Sequence, residues 1–116
     1  MKSESLIQNE IRLALSRHGI VLRLNSGKAW NGKRMWDNNI QQYVLTELRA
    51  IALCPTGTPD LLFLGEDGTV AFIECKTLKG KAKEAQERFI KIMHLYGIKA
   101  GIARSAEDAL AIIGLK

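Results

Sequence analysis

The spacing of apolar side chains changes period several times along the chain, and each change marks an element. Residues 3–18, SESLIQNEIRLALSRH, carry apolar positions at helical spacing, which predicts a helix that Ser3 or Ser5 caps and Gly19 ends. Residues 20–25, IVLRLN, predict a strand. Residues 26–42, SGKAWNGKRMWDNNIQQ, read as a polar, basic, turn-rich stretch holding two Trp. Residues 43–53, YVLTELRAIAL, fit a strand or a short helix, and the β-branched and aromatic start with Pro55 soon after favours the strand. CPTGTP then leads tightly into a strand DLLFL at 60–64, a turn GEDG and a strand TVAFIECK at 69–76. Residues 82–97 return to helical period, with Ala82, Gln86, Phe89, Ile90, Met93 and Tyr96 on one side and Gly97 as the stop. A short strand AGIAR at 100–104 precedes a last helix that Ser105 caps, with Glu107 and Asp108 suitably placed in its first turn. The order αββββαβα predicts one α/β domain over residues 1–116, a mixed central sheet with helices on both faces.

The hairpin within PDLLFLGEDGTVAFIECK has apolar residues on both faces, as a covered central strand pair requires, yet Asp60 stands at one strand end and Glu74 and Lys76 at the other. Pairing Gly65 with Thr69 across the turn sets Asp60 opposite Glu74, where Cβ atoms are ~5 Å apart. Two carboxylates that close repel each other. Two readings stand: one acid pairs with Lys76 as a strand-end salt bridge, or both grip a divalent cation through hard oxygen ligands that suit Mg²⁺. The covered position of the hairpin favours the cation. Glu10, between Leu6 and Ala14 on the first helix, and Gln86, among the apolar side of the second, are polar residues aimed at the same sheet. Glu10 has the alternative of reaching water from the stripe's edge, and Gln86 that of an amide bonded to backbone.

Composition narrows the class without naming it. The balance of 47% hydrophobic and 25% charged residues is that of a globular protein, and 116 residues support one modest core. No apolar run reaches membrane-span length, and acidic residues interrupt the first residues where a signal peptide would need an apolar segment. Cys54 and Cys75, outside any CxxC, are expected to be reduced thiols in a cytoplasmic protein, that of a host cell if the gene is a phage's. Cys75, pointing away from Glu74, is expected to pack in the core. His18 and His94 lack the Cys/His company of a metal site. A formal net charge of +5 favours a polyanionic partner, most simply nucleic acid.

Pro59-Asp60 followed by Glu74-Cys75-Lys76 resembles the signature of the PD-(D/E)xK nuclease superfamily, with its restriction-endonuclease-like fold. More narrowly, GTPDLLFL, VAFIECKTLKGKAKEAQERFI and GIKAGIARSAEDA are similar to the VRR-NUC family, the virus-type replication-repair nucleases, whose small stand-alone members occur in phages. Residues 28–42 match no part of that pattern. The resemblance implies Mg²⁺, with Mn²⁺ substituting, held by Asp60, Glu74, the backbone carbonyl of Cys75 and Glu10, the last directly or through water. It implies that Lys76 orients the attacking water or stabilises charge in the transition state, and that Gln86 positions Lys76 or a phosphate. It further implies a metal-dependent, structure-selective endodeoxyribonuclease that resolves Holliday junctions or other branched DNA as a homodimer.

Lys79, Lys81 and Lys83 cluster where the ExK strand meets the next helix. They suit phosphate contact beside a metal, or a solvated lysine turn. Lys28, Lys33 and Arg34 interleave with Trp30 and Trp36, a mixture that suits stacking on exposed bases and a dimer contact equally. A non-catalytic nucleic-acid-binding module on the same fold is the competing function, though it has no need of the Asp60/Glu74/Lys76 set. A sequence-specific restriction enzyme is disfavoured by length, since reading bases needs additional elements.

Overall fold

The computed structural model describes residues 1–25 and 28–115. Its elements run α1 (Glu4–Leu15), β1 (Gly19–Arg23), β2 (Lys28–Asp37), β3 (Gln42–Ala52), β4 (Leu61–Gly65), β5 (Val70–Cys75), α2 (Glu84–Leu95), β6 (Lys99–Ala103) and α3 (Ala106–Ile112). Four strands form a mixed sheet in the order β1-β4-β5-β6. β1 and β5 lie antiparallel to β4, and β6 runs parallel to β5 through the α2 crossover.

The register of the central hairpin is the one its alternation predicts. Leu61 faces Ile73 and Leu64 faces Val70, and Gly65 N–H donates to Thr69 O at 2.8 Å. Leu61 and Phe63 of β4 and Ala71, Ile73 and Cys75 of β5 point to one side, where they meet Ile7, Ile11 and Leu15 of α1 and Ala109 and Ile113 of α3. α2 lies on the other side, where Phe89 meets Phe72 edge to face at 5.2 Å. Helices thus cover both faces, as the chain pattern implies. Ser3 and Ser105 are the N-caps, accepting from the backbone N–H of Leu6 and Asp108 at 3.1 Å each.

Two expectations are corrected. The buried stripe of α1 is Ile7, Ile11 and Leu15, whereas Leu6, read from the sequence as flanking Glu10 within the apolar arc, and Leu13, one bound of that arc with Leu15, are exposed. The helix has apolar residues around more than half its circumference, so docking chose the stripe. The stretch 26–42 also contains a strand, β2, paired antiparallel with β3 from Lys28↔Ala52 to Asp37↔Gln42, with a bulge opposite Gly32; Ser26 and Gly27 lie outside the described residues. Its polar residues disguised it because β2 and β3 form a separate two-stranded sheet with no covered side. The element order is therefore αβββββαβα.

This hairpin is an arm. It packs on no other element to any extent, and the radius of gyration is 17.4 Å, against about 13 Å for a compact chain of this length. Both of its roots lie at the end of the main sheet that carries Asp60. Leu24 N–H donates to Asp60 O at 2.7 Å, and Cys54 N–H donates to Asn25 O at 2.9 Å.

Candidate active site

The chain approaches β4 through a turn in which the Thr58 N–H and hydroxyl both donate to Pro55 O, at 3.1 and 2.7 Å. Gly57 sits in this turn at φ +96°, and a Cβ there would lie 2.6 Å from the Ala85 carbonyl oxygen of α2. The bare backbone lets the turn lie against α2 and deliver Pro59-Asp60 to the end of the sheet. Asp60 is then fixed from across the hairpin, its Oδ2 accepting the backbone N–H of Cys75 at 3.0 Å.

Carboxylate oxygens of Asp60, Glu74 and Glu4 all lie within 4.8 Å of one another. Glu74 is 2% exposed, and its Oε2 is buried without a hydrogen-bond partner among the described residues. Burial pushes the Glu74 carboxyl up to about 8, the neighbouring Asp60 carboxylate adds to this, and Glu4 adds a little more. The Lys76 ammonium offsets part of the shift. Lys76 is half-buried and takes part in neither ion pair found among the described residues, Lys2–Glu10 and Arg88–Glu84. The strand-end salt bridge weighed from the sequence is therefore not formed. Cys75 turns to the opposite side, fully buried in the core, where burial pushes its thiol up to about 12.

Glu4 was missed, and Glu10 was expected in its place. Glu4 lies three residues before Ile7 and seven before Ile11, so it continues the buried stripe at its N-terminal end, beyond the apolar layer. Glu10 is roughly 100° from the middle of that stripe, and its Oε2 accepts from Lys2 Nζ at 3.0 Å. The signal for Glu4 was its phase with Ile7 and Ile11, legible once those residues are known to face the sheet.

Gln86 spends its amide oxygen on its own helix. Its Oε1 accepts the backbone N–H of Lys83 at 2.8 Å, closing the first turn of α2. This is the amide-to-backbone alternative. Lys79, Lys81 and Lys83 are exposed on the segment between β5 and α2. One further residue shapes that segment: Arg104, at the end of β6, donates through Nη1 to the carbonyls of Thr77 and Gly80. Sequence reading had Arg104 only as the end of a strand, since its partners are more than twenty residues away. Lys33 and Arg34 are exposed on the arm, remote in sequence from the lysine segment, and the side chain of Lys28 lies outside what is described.

An unpartnered buried carboxylate oxygen beside two more carboxylates, with a lysine two residues along the strand, is a donor set of hard oxygens that fits a divalent cation. On a mixed sheet covered by helices, it defines a nuclease-type domain. A family model described as VRR-NUC domain matches residues 2–107, and the chain belongs to that family. The match takes in α1 and the arm as well as the segments in which the resemblance was legible. No curated protein matched the chain. Among the described residues no helix is long and apolar enough to cross a membrane.

Proposed function

We propose that this protein is a Mg²⁺-dependent, structure-selective endodeoxyribonuclease that acts on branched DNA, four-way junctions among them, as a homodimer. The observation that carries the reading is Glu74 Oε2, buried and unpartnered with Asp60 and Glu4 alongside. A carboxylate so placed is held as a neutral acid or by a cation, and a lone buried charge is too costly to persist.

Asp60, Glu74 and Glu4 would hold the ion, with the backbone carbonyl of Cys75; Mn²⁺ would serve in place of Mg²⁺. Glu4 takes the role first expected of Glu10. When bound, the ion supplies Lewis acidity at the phosphoryl oxygen and lowers the pKa of water. Lys76 places a positive charge where negative charge grows during phosphodiester cleavage and orients the water that attacks. Gln86 acts indirectly, by closing the first turn of α2 and so setting the course of the segment that bears Lys81 and Lys83. Lys79, Lys81 and Lys83 contact phosphates of the strand to be cut, and Lys28, Lys33 and Arg34 extend the basic surface along the arm. Two-fold assembly suits a four-way junction, which needs two cuts related by symmetry.

The test is incubation of pure protein with labelled junctions, duplexes and single strands, with Mg²⁺, with Mn²⁺ and with chelator. Junction-centred nicks that need a divalent cation and vanish in Lys76→Ala support the reading. Junction binding without scission in either metal would replace it with a binding module, and cleavage by Lys76→Ala at the wild-type rate would remove Lys76 from the mechanism.

A further inference from the structure

In a strand of even alternation, Arg49 would follow Tyr43, Leu45 and Glu47 onto one face of β3. The pairing is different. Trp36 and Arg34 face Tyr43 and Leu45, whereas Asn31 faces Arg49 and Lys33 faces Thr46. Gly32 alone opposes both Glu47 and Leu48, so the bulge shifts the phase of β3 by one residue. That shift carries Arg49 from the side of Arg34 and Tyr43 to the side of Asn31 and Lys33. Two local features hold it. Glu47 has φ +53°, a conformation that non-glycine residues adopt uncommonly, and a Cβ on Gly32 would lie 2.7 Å from the Thr46 carbonyl oxygen. Solvation alone does not call for such a bulge, because the hairpin has no covered side and Arg49 would meet water from either face.

The bulge forms a notch of about 330 Å³, lined by Asn31, Gly32, Lys33, Glu47 and Arg49. Lys33 is diagonal to Arg49 across the ladder, a placement that sets Cβ atoms ~7–8 Å apart. Two long cationic side chains at that spacing can converge on one phosphate, Arg49 with a fork of donors and Lys33 as a point charge, with the Asn31 amide beside them. Both cations are exposed, and neither takes part in an ion pair among the described residues, although Glu47 lines the same notch. Two positive charges against one negative leave the notch cationic.

Its place on the sheet gives the notch a ligand. The order β1-β4-β5-β6 sets the arm, which follows β1, on one side of Asp60 and Glu74, and the segment with Lys79, Lys81 and Lys83, which follows β5, on the other. A DNA strand held by that segment and laid over the acids continues toward the arm. We infer that the notch at the bulge of the arm binds a backbone phosphate of DNA on the arm's side of the scissile bond, with Arg49 and Lys33 as its cations. The inference rests on the proposed function for its ligand, and adds to it Arg49 and a second anchor for the strand. Arg49 stands three residues from the end of β3 at Ala52, and Lys33 five from the start of β2 at Lys28, so at ~3.4 Å per residue the notch lies roughly 10–17 Å along the arm. At ~3.4 Å of axis per nucleotide, that reach is about three to five nucleotides. Anchors on both sides of the cut hold the strand across the acids, where one alone leaves it free to swing.

The test uses four-way junctions that carry one uncharged methylphosphonate each, stepped along one strand through the branch point. Binding of the full chain is read by anisotropy in chelator, and the cut is mapped separately in Mg²⁺. In the wild type, substitution at one phosphate or two neighbours, about three to five nucleotides to one side of the cut, should weaken binding about tenfold. Arg49→Ala and Lys33→Ala should each lower the salt slope by about one and abolish the penalty at that phosphate. Arg49→Lys, which keeps the charge, should retain most of it. Glu47→Gln, which removes the acid that lines the notch, should tighten binding to the unmodified junction. A scan with no Arg49-dependent position, or a penalty that stays at full size in both alanine variants, overturns the inference. A junction bound with this phosphate signature but never cut refutes the nuclease reading and leaves the notch; cutting with a flat scan does the reverse.

Discussion

Asp60 Oδ2 accepts the backbone N–H of Cys75 at 3.0 Å, so the acid at the start of one strand is tied to the residue directly after Glu74 on the next. The two carboxylates cannot drift apart to relieve their repulsion. Burial foremost, and then the Asp60 carboxyl held beside it, raise Glu74 to about 8.

A pH dependence follows. Because the folded-state value of Glu74 lies above its ordinary value of 4.5, its contribution to stability is complete below about pH 4.5 and is lost as pH rises through about 8. The thermal midpoint of metal-free protein should therefore fall across this range, and Mg²⁺ should restore it most at the alkaline end. Calorimetric titration with Mn²⁺ should show affinity rising with pH up to about 8, with proton release below that value. Glu74→Gln should abolish both the alkaline loss and the rescue by cation.

Glu4 and Glu10 make opposite predictions from one helix. Glu4→Gln should weaken Mn²⁺ binding about tenfold or more, since it removes one of the three clustered carboxylates. Glu10→Gln removes an exposed pair with Lys2 and should change neither binding nor stability by more than ~0.5 kcal/mol. Equal effects in the two variants, read by calorimetry, would contradict the geometry.

Arg104 should act on DNA through the lysine segment. Arg104→Ala frees the carbonyls of Thr77 and Gly80 and should destabilise the fold by about 1–3 kcal/mol. It should also raise KM for DNA more than it lowers kcat, and flatten the slope of log affinity against log salt as phosphate contacts are lost. A wild-type salt slope in this variant would show that the segment keeps its shape without the clamp.

Gly57 is the backbone counterpart. Gly57→Ala meets both a φ of +96° and the Ala85 carbonyl, so the turn must move away from α2. A loss of about 1–3 kcal/mol in denaturant melts is expected, with weaker Mn²⁺ binding because Asp60 moves with the turn.

Much of the site could be read before the fold was known, because its signals are local. Alternation on two strands and a turn closed between Gly65 and Thr69 leave one register that keeps apolar residues covered, and that register sets Asp60 near Glu74. Ser105 announces its helix for a similar reason, since a cap and its N–H partner are three residues apart. Tertiary structure decided the rest. Glu4 rather than Glu10 reaches the acids because docking selected Ile7, Ile11 and Leu15 from a helix with apolar residues on several sides. Arg104 meets the lysine segment across more than twenty residues of chain. β2 is a strand because β3 pairs with it, and that pairing set Trp30, Arg34 and Trp36 on one face and Lys33 on the other. Local hydrogen bonds and side-chain period are written in neighbouring residues, whereas which surfaces meet depends on the shape of the whole chain.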